Sequence, residues 1–288
     1  MERALADTEP LYPYWDPVLK NDRTLRIRFL KALAAKGLVS FRRRIFSKAG
    51  LFFVWKKGGQ IRMVVDGRHT NRSHRSPPHV ALGSPAAWAD VDLHDLGRPD
   101  QGVEQLCDLA LSTDEGFDDS NEGPWFSSGD LQDSFYQFKS EELGAEFGFD
   151  FPEAADVYDC THVWEDGGFV EVTGDESVFP VFCGIPMGWS WALWAVHLLV
   201  SSKVGATSDA GADPLLVEDK RITPLLRPGA PLAGVYVDNF AIVGTCKEDV
   251  EARHSRVVRS FGEAGIALHE LVEASSGPEP FEHVGLHF

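Results

Sequence analysis

Two aspartates in separate segments of the chain are suited to holding divalent metal ions. Asp130 follows a stretch with strand character at 124–129, and Asp238 stands between two short apolar runs, at 234–237 and 240–243. These runs predict a β-hairpin with Asp238 and Asn239 at its tip. Two metal ions ~3.5–4 Å apart, held by carboxylates from different strands, can clamp the attacking and leaving oxygens of nucleotidyl transfer. The pair therefore predicts that chemistry if the strands are neighbours, whereas a lone aspartate at a turn is more often a cap or turn residue.

The elements that must position these residues form a mixed α+β pattern, with helices packed on a small, mostly antiparallel sheet. Helices are predicted at 23–36, from Trp189 to about Val204, and after a capping box at 245–248. Strands are predicted at 51–55, 61–65, 265–268 and 281–286, with a glycine-containing hairpin loop at 56–60. We expect residues 1–20 to be an extended N-terminal segment and residues 66–85 to be an irregular loop. A strand pair around Gly167 and a short helix at 102–111 complete the pattern.

The composition argues against a membrane-spanning protein, a zinc site and a disulfide framework. The 288 residues are 43% hydrophobic, and the longest apolar run, at 189–200, contains His197 and is too short to span a bilayer. No membrane partner is therefore expected. Four cysteines without a Cys-x-x-Cys pair argue against a zinc site or a disulfide framework and favour a reducing compartment. His69, His74 and His79 recur at intervals of five without a fourth ligand and are interpreted as loop residues.

The charge is unevenly distributed. The net charge is −17, yet residues 20–75 carry 16 lysines and arginines against two acidic residues. Such a basic region can hold phosphates, and we predict that Arg42, Arg43, Arg44 and Arg68 contact nucleic acid. A solvated basic helix and loop is the alternative. Two acidic stretches, at about 90–123 and 151–177, are interpreted as insertions.

Three segments in order resemble motifs A, B and C of the reverse transcriptases. They are Asp130-Leu131-Gln132-Asp133-Ser134-Phe135-Tyr136, Pro186-Met187-Gly188-Trp189-Ser190 and Tyr236-Val237-Asp238-Asn239. Residues 56–71 look like the family's fingers hairpin, 261–271 is similar in position to motif D, and 282–286 to motif E. The resemblance covers roughly residues 40–288. It implies a right-hand polymerase domain over 20–288, with fingers at about 20–85 and 140–190 and a palm around them.

The resemblance also implies roles for individual residues. The catalytic residues would be Asp130, Asp238 and Asn239, and two Mg²⁺ ions, replaceable by Mn²⁺, would be held by Asp130, the Leu131 carbonyl and Asp238. Nucleotide-binding residues would be Lys56 or Lys57, Arg62, Phe135, Met187 and Gly188. Among these, Phe135 occupies the steric-gate position that selects deoxynucleotides, and a core aromatic is its alternative interpretation. The implied partners are an RNA or DNA template with its primer and deoxynucleoside triphosphates; the oligomeric state is left open.

The chain departs from the family pattern at three places. Asn239 stands where the family usually has a second aspartate, and His269 and Glu270 stand near the position of a motif D lysine. A histidine can donate a proton in its place. The sequence ends soon after motif E, so the thumb and RNase H regions are expected to be absent. Alternatives to an active polymerase are a decayed or domesticated domain that binds nucleic acid or protein, and an unrelated acidic α+β interaction protein.

Overall fold

The computed structural model describes residues 11–56, 58–91, 124–209, 211, 213–275, 282–283 and 286–287. Its helices are α1 (Pro17–Asn21), α2 (Arg23–Ala35), α3 (Arg68–Ser73), α4 (Pro85–Ala89), α5 (Ser134–Gln137), α6 (Glu141–Gly144), α7 (Ala192–Gly205) and α8 (Lys247–Glu263). Short 3₁₀ helices lie at Ala145–Phe147 and Ala155–Tyr158.

The strands are β1 (Val39–Arg42), β2 (Lys48–Trp55), β3 (Ile61–Asp66), β4 (Trp125–Leu131), β5 (Gly148–Phe149), β6 (Glu153–Ala154), β7 (His162–Glu165), β8 (Gly168–Glu171), β9 (Ser177–Phe182), β10 (Leu216–Val217), β11 (Leu232–Tyr236), β12 (Asn239–Gly244), β13 (Leu268–Ser275), β14 (Glu282–His283) and β15 (Leu286–His287). The predicted mixture of helices and strands is therefore confirmed, whereas the right-hand polymerase arrangement stays a prediction.

The chain divides into two compact units, each built from two segments. Unit 1 comprises Met1–His79 and Asp133–Val196, and unit 2 comprises Val80–Gln132 and His197–Phe288. The ranges expected for fingers, 20–85 and 140–190, overlap unit 1. That unit 1 serves as fingers stays a prediction.

Unit 1 is built on a mixed sheet with the order β1-β9-β5-β2-β3, to which β6 is added beside β9. The β2–β3 hairpin is antiparallel, and two glycines in its loop, Gly58 and Gly59, have φ of 83° and 76°, which other residues rarely adopt. The side chains of Phe147, Phe149 and Phe182 are fully buried and fill the core. This hairpin matches the prediction and carries Lys56 and Arg62 close to its turn.

Within the N-terminal segment, residues 11–16 form no helix or strand, whereas helix α1 begins at Pro17, so the predicted extended conformation is wrong at 17–20. Residues 1–10 lie outside the described part of the chain. Trp15 is 7% exposed and makes edge contacts with the rings of Phe149 and Phe151. Helix α1 forms because Pro17 suits a first helical turn and the Asp16 carboxylate accepts hydrogen bonds from the N–H groups of the next turn.

Unit 2 is built on a five-stranded sheet with the order β10-β11-β12-β4-β13. Only the β10–β11 pair is parallel. Neighbouring residues on β12 face opposite sides: Phe240 stacks on Phe261 of α8, whereas Ala241 lies in a buried cluster with Trp88 of α4. A Cβ at Gly234 would lie 2.5 Å from Trp88, so only glycine fits there. Strand β12, which directly follows Asp238 and pairs with the strand that carries Asp130, is thus packed on both faces.

Several predicted boundaries differ from the structure. Residues 66–85 contain helix α3 rather than only loop, and β13 begins at Leu268 rather than Gly265. Cys246, not Thr245, is the N-cap of α8, and no side chain caps that helix. The strand pair around Gly167 is confirmed as β7–β8, whereas the helix predicted at 102–111 lies outside the described residues. Within the described part of the chain, no helix is both long and apolar enough to cross a bilayer.

Candidate functional site

Unit 2 brings the two candidate metal-binding aspartates onto adjacent segments. Asp130 is near the end of β4 and pairs in register with Asn239 of the neighbouring strand β12. The backbone N–H of Leu131 donates to the carbonyl of Asp238 at 3.2 Å. The segments that carry the two aspartates are therefore adjacent, although 107 residues separate Asp130 and Asp238 in the sequence.

The hairpin turn differs by one residue from the prediction. Tyr236 pairs with Asn239, so Val237 and Asp238 form the tip and Asn239 is the first residue of β12. Two-residue hairpin turns require positive φ, and Val237 has a φ of 61°. A β-branched residue in this region is strained by about 1–3 kcal/mol. The expected position of Asn239 at the tip is thus wrong, and Asp238 shares the tip with Val237.

Three polar residues form a row across the neighbouring strands β12, β4 and β13. His269 of β13 pairs with Asp130 on the side opposite to Asn239. Its Nε2 lies 3.2 Å from Asp130 Oδ2, and its Nδ1 lies 3.7 Å from Glu270 Oε1. The sequence placed His269 only near a motif position, since its contact with Asp130 depends on the register of two strands far apart in the chain.

The electrostatics of Asp130 favour a bound cation. Its side chain is 22% exposed, and burial raises its pKa above the ordinary value, with the negative charge of Asp238 adding to the effect. Its Oδ1 is buried and makes no hydrogen bond within the described residues. A divalent ion would give this oxygen a partner and offset the repulsion between the carboxylates, so the residues present fit such an ion. No three His, Cys, Asp or Glu side chains converge as a ready metal cluster in the described ranges.

Only the backbone of Leu131, not its side chain, could contact a metal ion. Its side chain is 1% exposed, in the core, and the residue pairs with Leu268 of β13. Its implied contribution of a carbonyl ligand stays a prediction.

Unit 1 places two of the predicted nucleotide-binding residues, Lys56 and Arg62, at one cavity of ≈ 410 Å³. Lys56, Arg62, Asp133 and Tyr136 are among the residues that line it. Lys56 Nζ lies 3.9 Å from Asp133 Oδ1, and the Tyr136 hydroxyl donates to the Met63 carbonyl. The sequence did not single out Tyr136, whose pKa is raised by burial. Lys57 lies outside the described residues.

Phe135 lies on α5 and is half-buried, and its role as a steric gate stays a prediction. Its backbone carbonyl accepts a hydrogen bond from the N–H of Ile185 at 3.1 Å, which ties α5 to the segment that precedes Met187. Met187 is also half-buried, whereas Gly188 is exposed.

The turn at Gly188 is held by a residue that the sequence did not single out. The Asn71 side chain donates to the Gly188 carbonyl at 2.9 Å and accepts from the Ser190 N–H at 2.8 Å. A Cβ at Gly188 would lie 2.6 Å from the backbone oxygen of Val65, so the turn can approach β3 only with glycine. Asn71 lies in α3, in a segment that the sequence predicted to be an irregular loop, and its residue type gives no local signal of such a contact.

A second cavity of unit 1, of ≈ 460 Å³, lies beside this turn. Phe52, Val64, Asp66, Arg68 and Gly188 are among the residues that line it. Arg68 donates to the Asp66 carboxylate at 2.8 and 2.6 Å, while its side chain stays 59% exposed. Arg68 is therefore both oriented by protein contacts and accessible to a ligand.

The basic cluster at 42–44 is largely neutralised within unit 1. Arg42 is only 5% exposed and donates to the carbonyls of Glu141 and Trp164. Arg43 forms ion pairs with Glu165 and Glu176, both in the acidic stretch at 151–177. Arg44 is exposed. The burial of Arg42 contradicts the exposed position that a contact with nucleic acid requires. Among the three arginines, the geometry favours such a contact only at Arg44.

No family model and no curated protein matches this chain. One solved structure that it resembles is a foamy viral protease-reverse transcriptase in complex with double-stranded DNA, with 14% identity and a TM-score of 0.46. A second is a mutant of the prototype foamy virus protease-reverse transcriptase, with 14% identity and a TM-score of 0.47. These matches cover 92% and 100% of this chain, which spans only 33% and 28% of the respective structures. At this identity and TM-score the likeness is one of chain path and carries no argument about activity.

Proposed function

We propose that this chain is a reverse transcriptase-like polymerase domain that adds deoxynucleotides to a primer 3′ end. The observation that carries the proposal is the pairing of β4 with the β11–β12 hairpin, which puts Asp130 beside Asp238. The orphaned oxygen of Asp130 and its raised pKa support a cation at this position. The motif order in the sequence supports the reaction type.

Asp130 and Asp238 would hold the metal ions from two strands, with the Leu131 carbonyl as a further oxygen ligand. Bound divalent ions would activate the 3′-hydroxyl and neutralise charge on the departing pyrophosphate. The rigid sheet of unit 2 would keep the carboxylates in place through each addition, because both faces are packed. Asn239 adjoins Asp130 in register and would contribute an amide oxygen without a charge.

The substrates would be bound by residues of unit 1. Arg62 and Lys56 line the cavity of ≈ 410 Å³ and would hold a triphosphate, as a planar fork and a point charge. Half-buried Phe135 would exclude a 2′-hydroxyl. The cavity beside Gly188 has an apolar wall and an oriented, exposed Arg68, which suits a base and its phosphate on the template.

Primer extension tests the proposal. Wild type, Asp238→Asn and Asn239→Asp should be compared on RNA and DNA templates of the same sequence, with Mg²⁺ and then Mn²⁺. We expect wild type to extend the primer on RNA and Asp238→Asn to be inactive, since the hairpin tip then lacks its carboxylate. Asn239→Asp should extend at least as fast as wild type, because it restores a charge next to the metal ions.

The variants also separate the alternative functions. If only Asn239→Asp extends, the chain is a decayed polymerase whose loss lies at this residue. If no variant extends but all bind primer–template, a nucleic-acid-binding module replaces the polymerase proposal. Extension by Asp238→Asn at the wild-type rate would contradict the assignment of the site.

A further inference from the structure

We propose that His269 is itself a ligand of the metal ion at Asp130 and that it makes the site prefer Mn²⁺ to Mg²⁺. The inference rests on the proposed polymerase function and concerns the same site. It assigns a nitrogen ligand to a site that would otherwise offer only oxygen ligands.

The spacing of the two side chains suits joint coordination. His269 Nε2 lies 3.2 Å from Asp130 Oδ2. Two neighbouring ligands of an octahedral ion, each about 2.1 Å from the metal, are about 3.0 Å apart. An ion could therefore be held by both atoms with only a small movement of either side chain.

The backbone fixes the imidazole at this place. His269 is directly opposite Asp130 in the β4–β13 pairing, and the register shifts immediately after it. Within that irregular stretch Glu270 has a φ of 50°. Irregularities of this kind often re-aim side chains next to active sites. Here the in-register pairing ends at the residue whose ring meets Asp130.

Each ring nitrogen of His269 has a carboxylate oxygen nearby. Nε2 faces Asp130, and on the other side Glu270 Oε1 lies 3.7 Å from Nδ1. Histidines that bind metals usually present their second nitrogen to a carboxylate or carbonyl, which fixes the tautomer and orients the ring. Glu270 is 77% exposed and can close this gap by a side-chain rotation.

The composition of the row predicts which ion is preferred. Asn239 and His269 flank Asp130 in the sheet and are both neutral ligands. Mg²⁺ is a hard ion that favours charged oxygen ligands, whereas first-row transition ions also accept imidazole nitrogen. Mn²⁺ accepts both kinds of ligand and retains octahedral geometry, so this set of side chains favours it.

Pulsed electron paramagnetic resonance of the Mn²⁺-loaded protein tests the proposal without relying on activity. Wild type should show nuclear modulation from a directly bound ¹⁴N nucleus, which changes to the ¹⁵N pattern when histidine is ¹⁵N-labelled. In His269→Gln the modulation should vanish. Mn²⁺ affinity should fall roughly tenfold or more, and Mg²⁺ affinity, measured by competition, should change by less than about threefold. His162→Gln, at an exposed histidine of unit 1, should leave all three readouts unchanged.

Asp130→Asn separates the two possible failures. If Mn²⁺ binds to wild type, is lost in Asp130→Asn and shows no nitrogen modulation, His269 is not a ligand, while the metal site of the proposed function stands. If no Mn²⁺ binding depends on Asp130, both the inference and the proposed metal site are overturned.

Discussion

Replacing Arg42 with alanine is expected to destabilise the protein by about 3 kcal/mol and to leave the salt dependence of template binding unchanged. Replacing Arg44, two residues away, with alanine should leave the stability nearly unchanged and weaken the salt dependence of template binding. The contrast follows from their environments, since Arg42 is 5% exposed and bonded to protein carbonyls while Arg44 is exposed.

The expected loss of stability in Arg42→Ala follows from the contacts of the Arg42 side chain. Its guanidinium donates to the Trp164 carbonyl at 2.9 Å and to the Glu141 carbonyl, and it lies 3.3 Å from the Glu141 carboxylate. Each part-buried carbonyl that loses its donor costs about 1 kcal/mol. The missing side-chain packing adds about 1 kcal/mol more. The ion pair between Arg42 and the Glu141 carboxylate adds little to the stability, because water screens its exposed end.

Two measurements on each variant check this prediction. Chemical denaturation followed by tryptophan fluorescence gives the stability change. Fluorescence anisotropy of a labelled primer–template between about 50 and 200 mM salt gives the slope of log affinity against log salt. This slope becomes shallower by about 0.7–0.9 for each phosphate that the protein no longer neutralises. Arg42→Lys provides a second variant that keeps the charge but not the fork, and it should also be destabilised.

A particular result would refute the reasoning. If Arg42→Ala were as stable as wild type and its salt slope were flatter, Arg42 would be a template contact rather than a buried link between segments of unit 1. An Arg44→Ala variant with an unchanged slope would remove the whole 42–44 cluster from the template path.

Three further predictions concern stability. Asp130→Asn should stabilise the metal-free protein at neutral pH. The reason is that the pKa of Asp130 is raised in the folded state. The contribution of Asp130 to folding stability is therefore complete below pH ~3.8 and is lost as the pH rises through the folded-state pKa. Denaturation midpoints between pH 4 and 8 should therefore fall less in the variant than in wild type. Gly188→Ala should cost about 2–3 kcal/mol by denaturation, because its Cβ would lie 2.6 Å from the Val65 oxygen; a neutral result would mean that the turn can move. Asp22→Ala should destabilise the protein by about 1 kcal/mol, because α2 loses its N-terminal cap. Thr245→Ala, next to α8, which has no side-chain cap, should change the stability by less than about 0.5 kcal/mol. Equal losses of stability in the two variants would contradict the cap assignment.

The sequence was informative where the signal is local. The apolar runs around Asp238 predicted the hairpin, because two short apolar runs separated by two polar residues are typical of one. The tip was misplaced by one residue because a valine at positive φ violates the preferences on which turn prediction depends. Strain of this kind is found at functional sites, where the surrounding structure holds it in place.

Contacts between distant segments could not be predicted from the sequence. The run of arginines at 42–44 resembles a phosphate-binding patch, yet Glu165 and Glu176, more than a hundred residues later, pair with Arg43. The contacts of Asn71 with Gly188 and of His269 with Asp130 likewise join segments that are far apart in the sequence. Each depends on strand register or loop packing, which no single sequence window contains.

Single-nucleotide addition to a primer on an RNA template, measured for wild type, Asp130→Asn and Asp166→Asn, tests the central claim most directly. Asp166 is an exposed aspartate of unit 1, with φ of 49° on the β7–β8 turn, where asparagine is well tolerated, so its variant makes the same chemical change at a residue that is not part of the proposed site. We predict addition by wild type and Asp166→Asn and a loss of at least about a hundredfold in Asp130→Asn. Equal rates in all three proteins would contradict the assignment of Asp130 to a catalytic metal site.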